Sequence, residues 1–178
     1  MVDFLPMAKK KKRGQRFIPV AVIILIGLAA ALWYYCPPLP TKAPALKIYF
    51  QKGSGIEAVE RPERQDLSAL KQAMDELLAG PRPDEAAAGY MTEIPPGTKA
   101  MTLKAEKGLA VIFFNDRLEE YGGGAAKVQA LVAQIVYTAT AIPGIEKVLI
   151  KISGSKEVVL GGEGLVIDRP LGRRDINL

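Results

Sequence analysis

The sequence predicts an α+β fold. It is a two-layer sandwich with a β-α-β-β-α-β core and a small C-terminal β extension, preceded by one transmembrane helix. Three observations predict it. Two stretches space their apolar residues as an amphipathic helix does. Runs rich in β-branched and aromatic residues alternate with them in the order of a split βαβ unit, which packs both helices on one face of a sheet. A nineteen-residue run without a charged side chain comes before them all.

The elements follow in order. Residues 1–16 form a basic N-terminus carrying Lys9–Lys12, Arg13 and Arg16. Residues 1–42 hold seven Lys/Arg against Asp3, a net of +6. The remaining chain has 17 basic and 18 acidic residues. The basic balance therefore belongs to the N-terminus, and the domain behind it is not read as a nucleic-acid binder.

Residues 17–35 are the apolar run, FIPVAVIILIGLAAALWYY. As a helix it is roughly 28 Å long, close to the thickness of a bilayer's hydrocarbon core. The side chains expected to face lipid are Phe17, Ile18, Val20, Ile23, Ile24, Leu25, Ile26, Leu28 and Leu32. Trp33, Tyr34 and Tyr35 fit the far interface, where amphipathic rings are favoured. The basic cluster stays cytoplasmic, which places the C-terminal domain outside the cytoplasm. Two rival readings stand beside the anchor. Ala29-Ala30-Ala31 fits a signal-peptide cleavage site after Ala31, and Cys36 closes the run where a lipoprotein would be processed. Tyr34-Tyr35 before Cys36 argues against lipidation, because lipobox cysteines follow small residues. As the sole cysteine, Cys36 forms no disulfide within one chain. Residues 36–45, with PPLPTKAP, read as a stiff, extended spacer.

The outer domain spans 46–178. LKIYF (Leu46–Phe50) reads as a strand ended by QKGSG. A helix follows with Leu67, Leu70, Met74, Leu77 and Leu78 on one stripe, Asp66 as N-cap, Gly80 just past the end and Pro81 barring continuation. The stretch from Gly80 to Thr98 is long for a compact domain, and part of it is expected to be ordered against the sheet. Lys99–Ala105 and Leu109–Asn115 flank EKG as a hairpin, the second strand apolar enough to be central. YGGG (Tyr121–Gly124) leads into a helix bearing Val128, Leu131, Val132, Ile135 and Val136. Pro143-Gly144 ends that region. Glu146–Ser153 is the next strand, and EVVL and LVID around GGEG read as a final hairpin.

The chemistry that the chain lacks is informative. It has no histidine, which removes Ser-His-Asp and Cys-His sites and the commonest metal ligand. SALK (Ser68–Lys71) matches an S-x-x-K pattern but has no SDN or KTG partner, so it is read as coincidence. The glycines of YGGG are not followed by a P-loop lysine pattern. The carboxylate pairs Asp75-Glu76, Asp84-Glu85 and Glu119-Glu120 are adjacent in sequence and so point apart. No calcium-loop spacing occurs. No catalytic residue, cofactor site or metal site is assigned.

Several pieces together resemble the GerMN domain of bacterial sporulation and spore-germination proteins. They are IYF (Ile48–Phe50), Arg61, LLAGP (Leu77, Leu78, Ala79, Gly80, Pro81) and IPPGT (Ile94, Pro95, Pro96, Gly97, Thr98). GLAVIFF (Gly108–Phe114), QIVYTAT with Tyr137 and Thr138, IPGIEKVLIKISG with Pro143, and RPLGRR (Arg169–Arg174) continue the series. The resemblance covers about 46–174. It implies an extracytoplasmic α/β domain similar to the ring-building modules of secretion-type channels, without catalytic residues, whose motif residues are scaffold. It also implies partners among envelope or sporulation-channel proteins, or a homo-oligomer, at a mother cell–forespore channel. The germination protein that names the family looks like a lipoprotein with two copies of the domain. This chain has one copy and an apolar anchor. The sequence-level expectation is a membrane-anchored, non-enzymatic assembly protein. The alternative is an extracytoplasmic ligand-binding module for peptidoglycan or a small germinant.

Overall fold

A computed structural model describes residues 22–28, 44–120, 124–155, 158–160 and 165–177. Contacts divide the chain into two units, Met1–Thr41 and Lys42–Leu178. In the first, residues 22–28 are helical and exposed on every side, with Ile23 at 68% and Leu25 at 66% exposure. Among the described residues no helix is long and apolar enough to cross a membrane. The anchor positions Ile23, Ile24, Leu25, Ile26 and Leu28 lie on this helical stretch. Phe17, Ile18, Val20, Leu32, Trp33, Tyr34 and Tyr35 lie outside the described residues.

The second unit opens on a hairpin. β1 (Ala45–Lys52) pairs antiparallel with β2 (Gly55–Pro62) in register Ala45↔Pro62 to Lys52↔Gly55. Gly53, at φ 57°, supplies the positive angle that a two-residue II′ turn requires at its first central position. The sequence reading missed β2 and expected one sheet. Among the described residues the strands instead form two three-stranded sheets, ordered β2-β1-β3 and β4-β5-β6, and a separate two-stranded ribbon. The reason lies in what β1 is bonded to. Its neighbours are its own hairpin partner and the two-residue β3 (Tyr90–Met91), so it shares no ladder with β6.

Helix α1 (Ala69–Ala79) buries Leu70, Met74 and Leu77, as its spacing predicts. Its N-cap is Ser68, whose hydroxyl accepts from the Lys71 N–H, and not Asp66, which pairs with Arg64. Gly80 closes the helix at φ 82° and donates its N–H to Leu77 O. The long connection to Thr98 is ordered by a short helix α2 (Pro83–Ala87), by β3, and by a turn at Pro95–Thr98.

β4 (Ala100–Glu106) and β5 (Leu109–Phe114) form the expected hairpin. Lys107 at φ 48° and Gly108 at φ 83° make its tip a type I′ turn. β5 is the central strand, flanked by β4 and by the parallel β6 (Lys147–Ile152). The crossover from β5 to β6 is helix α3 (Ala125–Ala139). β7 (Val158–Leu160) and β8 (Leu165–Ile167) are the expected C-terminal hairpin.

Helices α1 and α3 pack on each other and against β1. In addition α1 touches β4, and α3 touches β6. One buried cluster results, joining Ile48 and Phe50 of β1, Met74 and Leu77 of α1, Ile112 and Phe114 of β5, Leu131 and Ile135 of α3, and Ile150 of β6. Among the described residues the two sheets share no backbone ladder and are coupled through this core and the helices packed in it.

Candidate functional site

The LLAGP segment sits over a buried charge. On β2 the inward row that carries Val59 continues to Arg61, where alternation would call for another apolar residue. Arg61 is 2% exposed. Its Nη1 and Nη2 bond both oxygens of Glu85, the second at 2.6 Å, and its Nε bonds Glu76 Oε2 at 3.1 Å. Glu85 also accepts the Arg82 N–H at 2.8 Å, which closes the first turn of α2. The Arg61 hydrogen bonds, helped by that N–H, hold the Glu85 carboxyl below the ordinary glutamate range. Glu76 and Glu85, one on α1 and one on α2, are thus carboxylates the fold brings together on Arg61. A general acid needs a raised pKa, and Glu85 has the reverse. The triad ties the hairpin to the segment after α1. Leu77 is fully buried beside it and Leu78 half-buried.

The IPPGT segment is a type II turn. Pro96 takes the first central position, Gly97 the second at φ 84°, and Thr98 N–H returns to Pro95 O at 3.2 Å. The Thr98 hydroxyl donates to the same carbonyl at 2.7 Å. Asn115 fastens the turn to β5: its Nδ2 donates to Gly97 O at 3.0 Å and its Oδ1 accepts from Lys99 N–H at 2.9 Å. Pro143 plays the same part after α3, where Gly144 at φ 86° lets Ile145 N–H reach Ile142 O.

The third constellation joins motif pieces that are remote in sequence. Thr138, fully buried on α3, accepts the Tyr49 N–H of β1 through Oγ1 at 3.0 Å. The rings of Tyr49 and Tyr137 meet edge to face, 5.7 Å apart at 84°. Arg173, from the C-terminal segment, lies over both rings at 5.1 and 5.2 Å. It donates to Thr140 Oγ1 at 2.8 Å and to Tyr137 O at 3.0 Å. Among the described residues it has no carboxylate partner. This cluster bounds an open cleft of about 550 Å³ lined by Ala45, Lys47, Ala141, Ile142 and Pro143, with Glu63 at the Pro44 end.

β1 is open along this cleft. Glu63 N–H bonds Pro44 O, so the N–H and C=O groups of residues 46, 48 and 50 point to β2 and those of 45, 47 and 49 point away. β3 covers only Gln51 and Lys52. Beyond Met91 the chain leaves that lane: Thr92 donates to Gln134 Oε1 on α3 and accepts the Ile94 N–H. The backbone groups of Ala45 and Lys47 are left without a partner among the described residues.

The structure thus places Gly80 at the C-cap of α1 with Pro81 just after it, Pro95, Gly97, Thr98 and Pro143 in turns, Leu77 in the core, and Tyr137 and Thr138 in the contact between α3 and β1. Sequence reasoning missed the partners of Arg61, the stacked Arg173, and the open edge. The only signal for the first was an arginine on an inward strand position. For the last two there was none, since both depend on tertiary placement. In the S-x-x-K stretch, Ser68 caps the helix and Lys71 Nζ pairs with Asp75 at 2.7 Å. Among the described residues no group of three or more Cys, Asp or Glu side chains is placed to hold a metal.

The first GerMN domain of the sporulation protein GerM from Bacillus subtilis is similar, with a TM-score of 0.60 and 25% identity over 75% of this chain and 100% of that one. The tandem GerMN domains of the same protein give a TM-score of 0.59 at 21% identity, covering 75% of this chain and 47% of theirs, so this chain spans about half of the tandem. A putative lipoprotein from Clostridium perfringens gives 0.55 at 25% identity, covering 75% and 89%. No curated protein matches. The sequence profile of the Germane family, described as sporulation and spore germination, matches residues 47–158, and the chain belongs to that family.

Proposed function

We propose that this chain is a membrane-anchored assembly protein whose GerMN-like domain docks other proteins on the outer side of the membrane and performs no chemistry of its own. The observation that carries the docking reading is the open backbone edge of β1, lying beside a cleft on a domain whose gathered carboxylates Glu76 and Glu85 are paired with Arg61 and Arg82. Such an edge is a template for pairing with another chain. Membership of a sporulation and germination family favours partners in the envelope of a spore-forming cell, including a channel between mother cell and forespore. The anchor reading rests on the apolar run 17–35 behind a basic cluster.

Two measurements test it. A photo-crosslinking residue at Lys47 in the full chain should trap an envelope protein or a second copy during sporulation, and the same residue at Glu119 should trap less. The docking reading fails if no protein is trapped at either position while the chain sediments with purified cell wall, the outcome expected of a ligand-binding module. A membrane-impermeant maleimide should label Cys36, the sole cysteine, in intact cells. Labelling only after lysis would overturn the outward orientation.

A further inference from the structure

We infer that the cleft along β1 receives an extended peptide segment of a partner protein. The segment pairs with the free backbone groups of Ala45 and Lys47 and places a carboxylate on Arg173. This rests on the docking reading above and adds the chemistry of the partner.

Three observations converge on it. The lane next to residues 45–49 is where β3 would continue if it were longer, so a strand entering there lengthens the third lane of the β2-β1-β3 sheet. Ala45 and Lys47 each offer one donor and one acceptor to that lane, and Tyr49 adds its carbonyl. The Tyr49 N–H is already taken by Thr138, which sets where pairing stops. The second observation is charge. Arg173 is exposed, stacked on Tyr49 and Tyr137, and held by Thr140 and Tyr137 O, yet no described carboxylate neutralises it. Lys47 is also exposed, on the same face of β1 as Tyr49. Glu60 of β2 stands directly opposite Lys47, so Arg173 is the cation the wall presents, already fixed in orientation, and an incoming carboxylate gains a charge-assisted hydrogen bond without ordering a free side chain. The third is shape. Ala141, Ile142 and Pro143 form an apolar wall opposite the backbone edge, and the cleft's volume lies in the range of ligand clefts.

Polarity follows from the ends. Glu63 lines the cleft near Pro44, five strand residues from Tyr49, which is about 16 Å. A segment running antiparallel to β1, as β2 and β3 do, would carry its acid opposite Tyr49 and tolerate a base four residues later, opposite Ala45.

The test uses the full chain in detergent micelles and the peptide acetyl-Glu-Val-Thr-Val-Lys-amide. In the free protein the Lys47 amide should exchange with solvent fast, while its neighbour Ile48, bonded to β2, is protected. Saturating peptide should protect Lys47 at least tenfold. Replacing the peptide's Glu by Gln should weaken binding about tenfold, and N-methylation of its central Thr should abolish it. Arg173→Gln should remove the preference for Glu over Gln, and Arg173→Lys should keep part of it. The inference is overturned if Lys47 exchange is unchanged by peptide, or if the Glu and Gln peptides bind alike to the parent protein. Protection of Lys47 without peptide would also overturn it. Concentration-dependent protection would assign the lane to a second copy, and concentration-independent protection to the chain itself. If envelope proteins crosslink at Lys47 but the peptide does not bind, the strand chemistry fails and docking stands. If the peptide binds and no protein crosslinks, docking in the envelope fails.

Discussion

Replacing Arg61 by Met should be the most damaging conservative-volume change in the domain. The side chain is 2% exposed, and its partners Glu85 and Glu76 are 12% and 29% exposed. Removing the cation strands the Glu85 carboxylate in a site from which water is nearly excluded. Breaking a buried ion pair from one side costs about 3–5 kcal/mol. The Arg82 N–H still bonds Glu85, so the lower end, near 3 kcal/mol, is expected. For a domain of this size that lowers the melting temperature by roughly 10 °C. Urea denaturation of the parent, Arg61→Met, Glu85→Gln and the double variant would separate the causes. If stranded charge is responsible, the double variant should recover about 1–2 kcal/mol relative to Arg61→Met, because an apolar residue beside a neutral amide costs far less than one beside a carboxylate. A loss below about 1 kcal/mol for Arg61→Met, or a double variant equal to the sum of the singles, would refute the argument and make Arg61 a packing residue only.

Three further outcomes follow from local geometry. The Glu85 carboxyl titrates below its unfolded value in the native state, so its contribution is complete above the unfolded pKa of about 4.3 and is lost as pH falls through the folded value; urea midpoints from pH 6 to pH 3 should fall less steeply in Glu85→Gln. Thr138→Val deprives the Tyr49 N–H of its acceptor and should cost about 1–3 kcal/mol, whereas Thr138→Ser should cost much less. Lys107→Asn, at the one described non-glycine residue with positive φ, should raise stability by about 0.5–1 kcal/mol in thermal unfolding, since Asn tolerates the left-handed conformation of the I′ turn.

Local patterns carried much of this fold. α3 is legible because Val128, Leu131, Val132, Ile135 and Val136 recur at helical spacing and all point inward. The β4–β5 hairpin is legible because Lys107-Gly108 separates a polar run from an apolar one. β2 escaped for a physical reason: Glu57, Glu60 and Arg61 break the apolar alternation, since one face of this strand meets solvent and its inward arginine is satisfied by carboxylates from elsewhere in the chain. Gly53-Ser54, a recognisable hairpin turn, was the available clue. The division into two sheets was not legible, because strand pairing depends on which edge a helix side chain occupies. Among site residues, the glycines and prolines announced their turns. The roles of Arg173 and of the Ala45–Lys47 edge rest on contacts between residues 33 to 124 positions apart, which no local window contains.

The absence of a shared ladder between the β1 and β5 sheets has a mechanical consequence. Among the described residues the two plates are joined through buried side chains and the two helices packed against both, so shear between them breaks mainly dispersion contacts, together with the Tyr49 N–H bond to Thr138. Native-state amide exchange should therefore part the domain along that seam, with β1–β2 opening as one block and β4–β5–β6 as another. A tug arriving through Pro44 would be absorbed by the first plate before the second felt it.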